Sequence, residues 1–238
     1  NTTLSSGNCT LAAERMAARL KAAGYRDEEL RVFFVPEHPK EGGLVAELKG
    51  SDARRRPVLL LAHIDVVEAK RADWVRDPFT LIEEDGYFYG RGAADDKAMA
   101  AVFTDLLIRY RQEGYRPKRT IRLALTCGEE TSGAFNGASY LATQHKEWID
   151  AEFAVNEGGP ATLDAQGRHQ IFGVEAAEKV YQDFALETTN PGGHSSIPVP
   201  DNAIYRMAAA LQRVAALDFP VQLNEVTRGF LTRMAPIA

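Results

Sequence analysis

From Pro57 to Asp65 the chain reads PVLLLAHID: six residues without charge, one histidine, and an aspartate two positions later. A Leu- and Val-rich run this continuous predicts a strand covered on both faces, as in a parallel sheet packed between helices. Two later segments have the same form. TIRLALTCGEE (120–130) closes on Glu129 and Glu130, and AEFAVNEGG (151–159) closes on Glu157. Between these runs lie helical patterns. Residues 96–114 repeat apolar side chains at Met99, Val102, Phe103, Leu106, Leu107 and Tyr110 before Gly114 ends them, and GASYLATQHKEW is helical as well. Strand–helix–strand alternation predicts an α/β sandwich around a largely parallel, mixed sheet. In such sheets functional groups collect at the carboxyl ends of the strands, which is where these polar residues fall.

The flanking segments are less regular. TLAAERMAARLKAAG (10–24) predicts an amphipathic helix with Leu11, Met16 and Leu20 on one face, Thr10 as its cap and Gly24 as its left-handed stop. RVFFVP and GLVAELKG predict two strands, joined by a linker with two prolines and a Gly-Gly pair, and GYFYGRG predicts a short strand. After Ala177 the texture changes. KVYQDFALETT alternates like a strand with one exposed face, NPGGHSSIPVPDN is a loop, and AIYRMAAALQRVAAL is a helix. The expected division is therefore 1–177 and 178–238, the latter being the start of a smaller α+β domain. Cys9 and Cys127 match neither a disulfide framework nor a Cys-rich zinc site, so two free buried thiols are expected.

The net charge is −5, and no basic patch is interleaved with aromatics, which argues against nucleic acid as a partner. No apolar run is long enough to span a bilayer, so no membrane partner is expected.

Seven ionisable residues lie at or just past predicted strand ends: His63, Asp65, Asp95, Asp96, Glu129, Glu130 and Glu157. Each alone has an ordinary structural explanation. A core histidine can be a hydrogen-bonded structural group, two aspartates before a helix can cap it, and a Glu pair can lie on the surface. GRGAADDK is neither a dinucleotide fingerprint, since Asp95 stands at the third glycine, nor a phosphate-binding loop. Together, however, these carboxylates would repel one another unless cations sat among them. Imidazole with carboxylate oxygens is a zinc-like ligand set. The spacing of His63 and Asp65 lets Asp65 hold one ring nitrogen while the other binds metal.

The ordered motifs HxD, GRGxxDDK, GEE, NEGG and GGHSS resemble the co-catalytic zinc metallopeptidases of peptidase family M20. That family includes aminoacylase, glutamate carboxypeptidase, acetylornithine deacetylase and succinyl-diaminopimelate desuccinylase. The resemblance implies a three-layer catalytic domain with an inserted lid and dimerisation domain. It implies two divalent ions, zinc first, with cobalt or manganese as substitutes. It implies that His63 and Glu157 bind one metal, Asp95 bridges both, Glu130 binds the second, and Glu129 is the general base. His194 of the lid would contact substrate and oxyanion, acting across a homodimer. A cis peptide between Asp95 and Asp96 is also implied. The reaction would be hydrolysis of an amide in N-acyl amino acids or small peptides with a free carboxylate. Glu rather than Asp at position 157 goes with such substrates. The alternatives are a dimetal aminopeptidase and an inactive member of the fold, the latter opposed by the intact GEE.

One element of the family pattern is missing. The second metal usually takes a histidine that follows the lid, yet the five histidines are His38, His63, His145, His169 and His194. The expectation is a piece of a longer protein, cytoplasmic or exported.

Overall fold

In the computed structural model, which describes every residue except Ser132, Pro160 and Ala238, the three apolar runs are strands. The chain forms two compact units, Asn1–Glu157 and Gly158–Ala238. The division precedes the change of texture at Ala177. In chain order the first unit comprises α1 (Cys9–Ala22), β1 (Leu30–Val35), β2 (His38–Leu48), β3 (Val58–His63), β4 (Ile82–Glu84), β5 (Tyr87–Tyr89), α2 (Lys97–Gln112), β6 (Ile121–Thr126), α3 (Gly137–Gln144), α4 (Lys146–Ile149) and β7 (Phe153–Val155).

Five of these strands form one mixed sheet in the order β1-β2-β6-β3-β7. β1 with β2 and β2 with β6 are antiparallel, whereas β3 runs parallel to both β6 and β7. Alternating residues divide the two faces. Leu44, Ala46, Leu60, Ala62, Leu123 and Leu125 join a core with Ala13 and Leu20 of α1 and Ala100, Phe103 and Leu107 of α2. Val45, Leu59 and Ala124 join a second core with Leu141 of α3 and, at its edge, Trp148 of α4. Three layers result, because a strand's period of two sends successive side chains to opposite faces.

Several local expectations change. β2 begins at His38, so only Pro36 and Glu37 separate it from β1, and the expected linker is mostly strand. A second short strand, β4, pairs with β5 in a separate ribbon. The cap of α1 is Asn8, whose side chain accepts from the Leu11 amide at 2.8 Å. Thr10 is instead buried and bridges to β2, donating to the Pro39 carbonyl at 2.8 Å and accepting from the Gly42 amide at 2.9 Å. Leu11 lies 42% exposed, so the buried face of α1 is Cys9, Ala13 and Leu20. Gly24 does adopt the left-handed conformation, φ +99°.

The cysteines are not free thiols. Cys9 and Cys127 form a disulfide across a sequence separation of 118. The pairing needed β6 to end against the start of α1, which spacing in the sequence does not reveal. Closing a loop of that length removes unfolded-state chain entropy worth about 5 kcal/mol.

The second unit contains a hairpin of β8 (Ala161–Leu163) and β9 (His169–Phe172), then α5 (Ala203–Ala215) and α6 (Glu225–Met234). His169 opens β9. Asn202 and Asn224 cap the helices, accepting from the Tyr205 and Thr227 amides. KVYQDFALETT carries no strand pairing, and Val180, Tyr181 and Phe184 lie exposed. Alternation alone cannot make a strand when no neighbour exchanges hydrogen bonds with it.

Leu123 sits at the centre of the sheet, fully buried, opposite Ala46 on β2 and Leu60 on β3. Leu123→Ala should lower stability by about 2–5 kcal/mol, the usual cost of a buried leucine cavity. Urea unfolding of the variant and its parent measures that difference.

Candidate metal centre

Parallel pairing aligns His63 at the end of β3 with Thr126 at the end of β6. The residues following each strand therefore emerge together. Cys127, Gly128, Glu129 and Glu130 follow β6, and Asn156 and Glu157 follow β7. Asp95 and Asp96 arrive from the turn before α2, joined by a cis peptide as expected.

His63 is 3% exposed and lies at the centre of the group. Its Nδ1 lies 3.1 Å from the backbone carbonyl oxygen of Asp65 and 3.5 Å from Asp65 Oδ1. A carbonyl only accepts, so Nδ1 carries hydrogen and Nε2 is left facing carboxylates. Asp95 Oδ1 lies 2.8 Å from Nε2, Glu157 Oε1 3.6 Å and Glu129 Oε2 3.9 Å. Among the described residues, two sets bring ligand atoms within 4.8 Å of one another: His63 with Asp95 and Glu157, and His63 with Glu129 and Glu130.

The electrostatics record how crowded these acids are. Burial, with the charges of Asp95 and Glu129, pushes the carboxyls of Asp96, Glu130 and Glu157 above their ordinary range. Burial works against charge on His63, but Asp65, Asp95 and Glu157 together raise it to about 10. Burial would also raise Asp65, yet the adjacent His63 imidazole and the Glu130 amide, which donates to Oδ2 at 2.9 Å, hold it below its ordinary value. Asp65 Oδ1 nonetheless has no hydrogen-bond partner. One imidazole thus stands among several carboxylates, and divalent cations fit this donor set of an imidazole nitrogen and carboxylate oxygens.

Two residues do more than the sequence showed. Asp96 precedes α2 in the capping position but makes no side-chain cap bond. Its Oδ2 instead accepts from the His63 amide at 3.2 Å, bracing the strand end. Lys97 is held below its ordinary pKa by burial, against the opposing charge of Asp65. Nothing in a DDK string separates these roles from ordinary helix-start chemistry.

His194 lies in the second unit, exposed, with Nδ1 2.7 Å from Ser196 Oγ. His38 pairs with Glu41, and His145 stacks on Trp148.

Residues 59–229 match the family model described as peptidase family M20/M25/M40. The chain belongs to this family. Human N-fatty-acyl-amino acid synthase/hydrolase PM20D1 is 33% identical over 196 residues, which are 79% of this chain and 38% of that protein. Carboxypeptidase S of Saccharomyces cerevisiae is 30% identical over 205 residues, 82% of this chain and 35% of that protein. The chain thus spans well under half of these M20 relatives. The M20 metallo-carboxypeptidase Sso-CP2 of Sulfolobus solfataricus superimposes with a TM-score of 0.53 at 21% identity, covering 67% of this chain and 34% of that one, and so shares the fold. Among the described residues no helix is long and apolar enough to cross a membrane.

His63 belongs to both candidate ligand sets, while the Asp65 carboxylate belongs to neither: it lies beside the ring and accepts from the Glu130 amide. Asp65→Asn should weaken divalent-ion binding about 10–100-fold, the usual effect of losing an outer partner, and His63→Ala by more. Calorimetric titration with Zn²⁺ at fixed pH ranks the two variants.

Proposed function

We propose that this chain carries the metal-binding part of a hydrolase that cleaves the amide bond of N-acyl amino acids or small peptides with a free carboxylate. The observation that carries the proposal is His63 Nε2 facing carboxylates from three separate strand or helix ends. The relatives' names support the substrate class. An N-fatty-acyl-amino acid and a carboxypeptidase substrate share an amide whose amine side is an amino acid bearing a free carboxylate.

His63, Asp95 and Glu157 would hold one divalent ion, with Asp95 shared and Glu130 on a second. Zinc suits this nitrogen and oxygen set best. Ions in such a site supply Lewis acidity and bring a water's pKa down to about 7. Glu129, at the rim of the cluster and about half exposed, takes the water's proton. It later gives that proton to the leaving amine as the amide bond breaks. Asp65 and Asp96 keep the His63 ring and the β3 end in place throughout. His194, supplied by the lid of a partner subunit in a homodimer, donates to the oxyanion formed on the substrate carbonyl. The disulfide supports an oxidising compartment, where such bonds form and persist.

Glu129→Gln in the full-length protein should leave ion binding and fold intact and lower kcat by about 10²–10⁴ on an N-acyl amino acid, the worth of a general base. Activity within tenfold of the parent removes Glu129 from that role. Free-amine peptides assayed beside N-blocked ones separate this reaction from an aminopeptidase.

The role of His194 has its own test. Mixed dimers of a His194→Ala subunit and a Glu129→Gln subunit should regain activity toward half of the parent's. One of their two sites then has both a working base and a working histidine. Mixed dimers that form and stay inactive exclude action across the interface.

A further inference from the structure

Taking the hydrolase reading as given, we propose that Cys9 and Cys127, through their disulfide, are positioning residues for Glu129 and Glu130. Cys127 directly follows β6, and the two acids come two and three residues later. The segment between Cys127 and Gly137 returns on itself at a narrow root. The Gly137 amide donates to the Cys127 carbonyl at 2.8 Å, and Asn136 Nδ2 donates to the Gly128 carbonyl at 3.0 Å. Gly128 sits at φ +88°, and a Cβ there would collide with the Phe135 carbonyl oxygen. The direction in which the loop leaves the sheet is therefore set at this root.

Among the described residues, a few hydrogen bonds tie the root to the rest of the unit. Phe135 donates its amide to Glu41 Oε2 at 2.9 Å, 94 residues away in sequence. Glu41 lies on β2, next to Gly42, whose amide donates to Thr10 Oγ1 at 2.9 Å. Thr10 adjoins Cys9, and Cys9 is bonded to Cys127. The circuit Cys127–Cys9–Thr10–β2–Glu41–Phe135–Gly137 is closed, and between different elements of the fold its one covalent cross-link is the disulfide. A cavity of about 170 Å³ lies inside this region, lined by Cys9, His38, Glu41, Cys127, Gly128 and Thr131. With the cross-link gone the loop has room to settle toward the cavity. The Glu130 amide then draws away from Asp65 Oδ2, which it meets at 2.9 Å. His63, Asp95 and Glu157 stand on other elements and keep their places.

The test is a two-ion titration with Co²⁺ of the full-length protein and of Cys9→Ala/Cys127→Ala, followed by kinetics on an N-acyl amino acid, both well below the unfolding midpoints. The expected result is a second ion bound about tenfold more weakly, a first ion within threefold, and kcat lower by about tenfold with KM within threefold. A merely structural disulfide would lower the midpoint and leave these values unchanged, and that result overturns the proposal. Should the alanine pair fail to fold, phosphine reduction of the native protein, followed by thiol titration, supplies the same comparison without mutation. A parent protein that takes up no ion overturns the hydrolase reading itself and this proposal with it.

Discussion

Parallel pairing of β3 with β6 and β7 is the constraint on which the rest depends. It brings three strand ends to one edge of the sheet: β3 closes on His63 with Asp65 just beyond, and acids follow β6 and β7. No antiparallel arrangement of the same strands would do so, because alternate strands would then end at opposite edges. The outcome is a buried imidazole under several carboxylates, with burial and neighbouring charges pushing Glu130 and Glu157 up and the surrounding acids raising His63. Such a group is unfavourable without positive charge at its centre.

Local preferences give way near this edge. Asp96 stands where a helix cap belongs, yet its carboxylate turns to the His63 amide and leaves the first turn of α2 without a side-chain cap. Thr10, a plausible cap for α1, is drawn instead into a bridge to β2, and Asn8 takes the capping role. In both cases a polar side chain has two competing partners. The partner across the fold wins because the buried backbone group there has no water to bond.

The second unit shows the opposite balance. None of its described residues is buried, and Phe172, Val180, Phe184 and Phe219 are each more than four-fifths exposed. Its expected helix forms as α5, and both α5 and α6 start at an asparagine cap. Its expected strand does not form. Helices close their own hydrogen bonds within a segment, whereas a strand's bonds depend on a neighbour.

The main strands and helices of the first unit, and the gathering of acids around His63, were legible in the sequence because they rest on local regularities. Apolar runs of strand length, helical spacing and acids at the ends of those runs all follow from side-chain periodicity and from where an α/β sheet collects polar groups. The family motifs carried the same information. Other features were decided only by tertiary structure: the disulfide between Cys9 and Cys127, the tie from Glu41 to Phe135, the brace from Asp96 to His63, and the division after Glu157. Each joins residues distant in sequence or chooses between two acceptable local partners. Distance along a chain does not state distance in space, and a pattern read one segment at a time cannot say which other segment will be there to meet it.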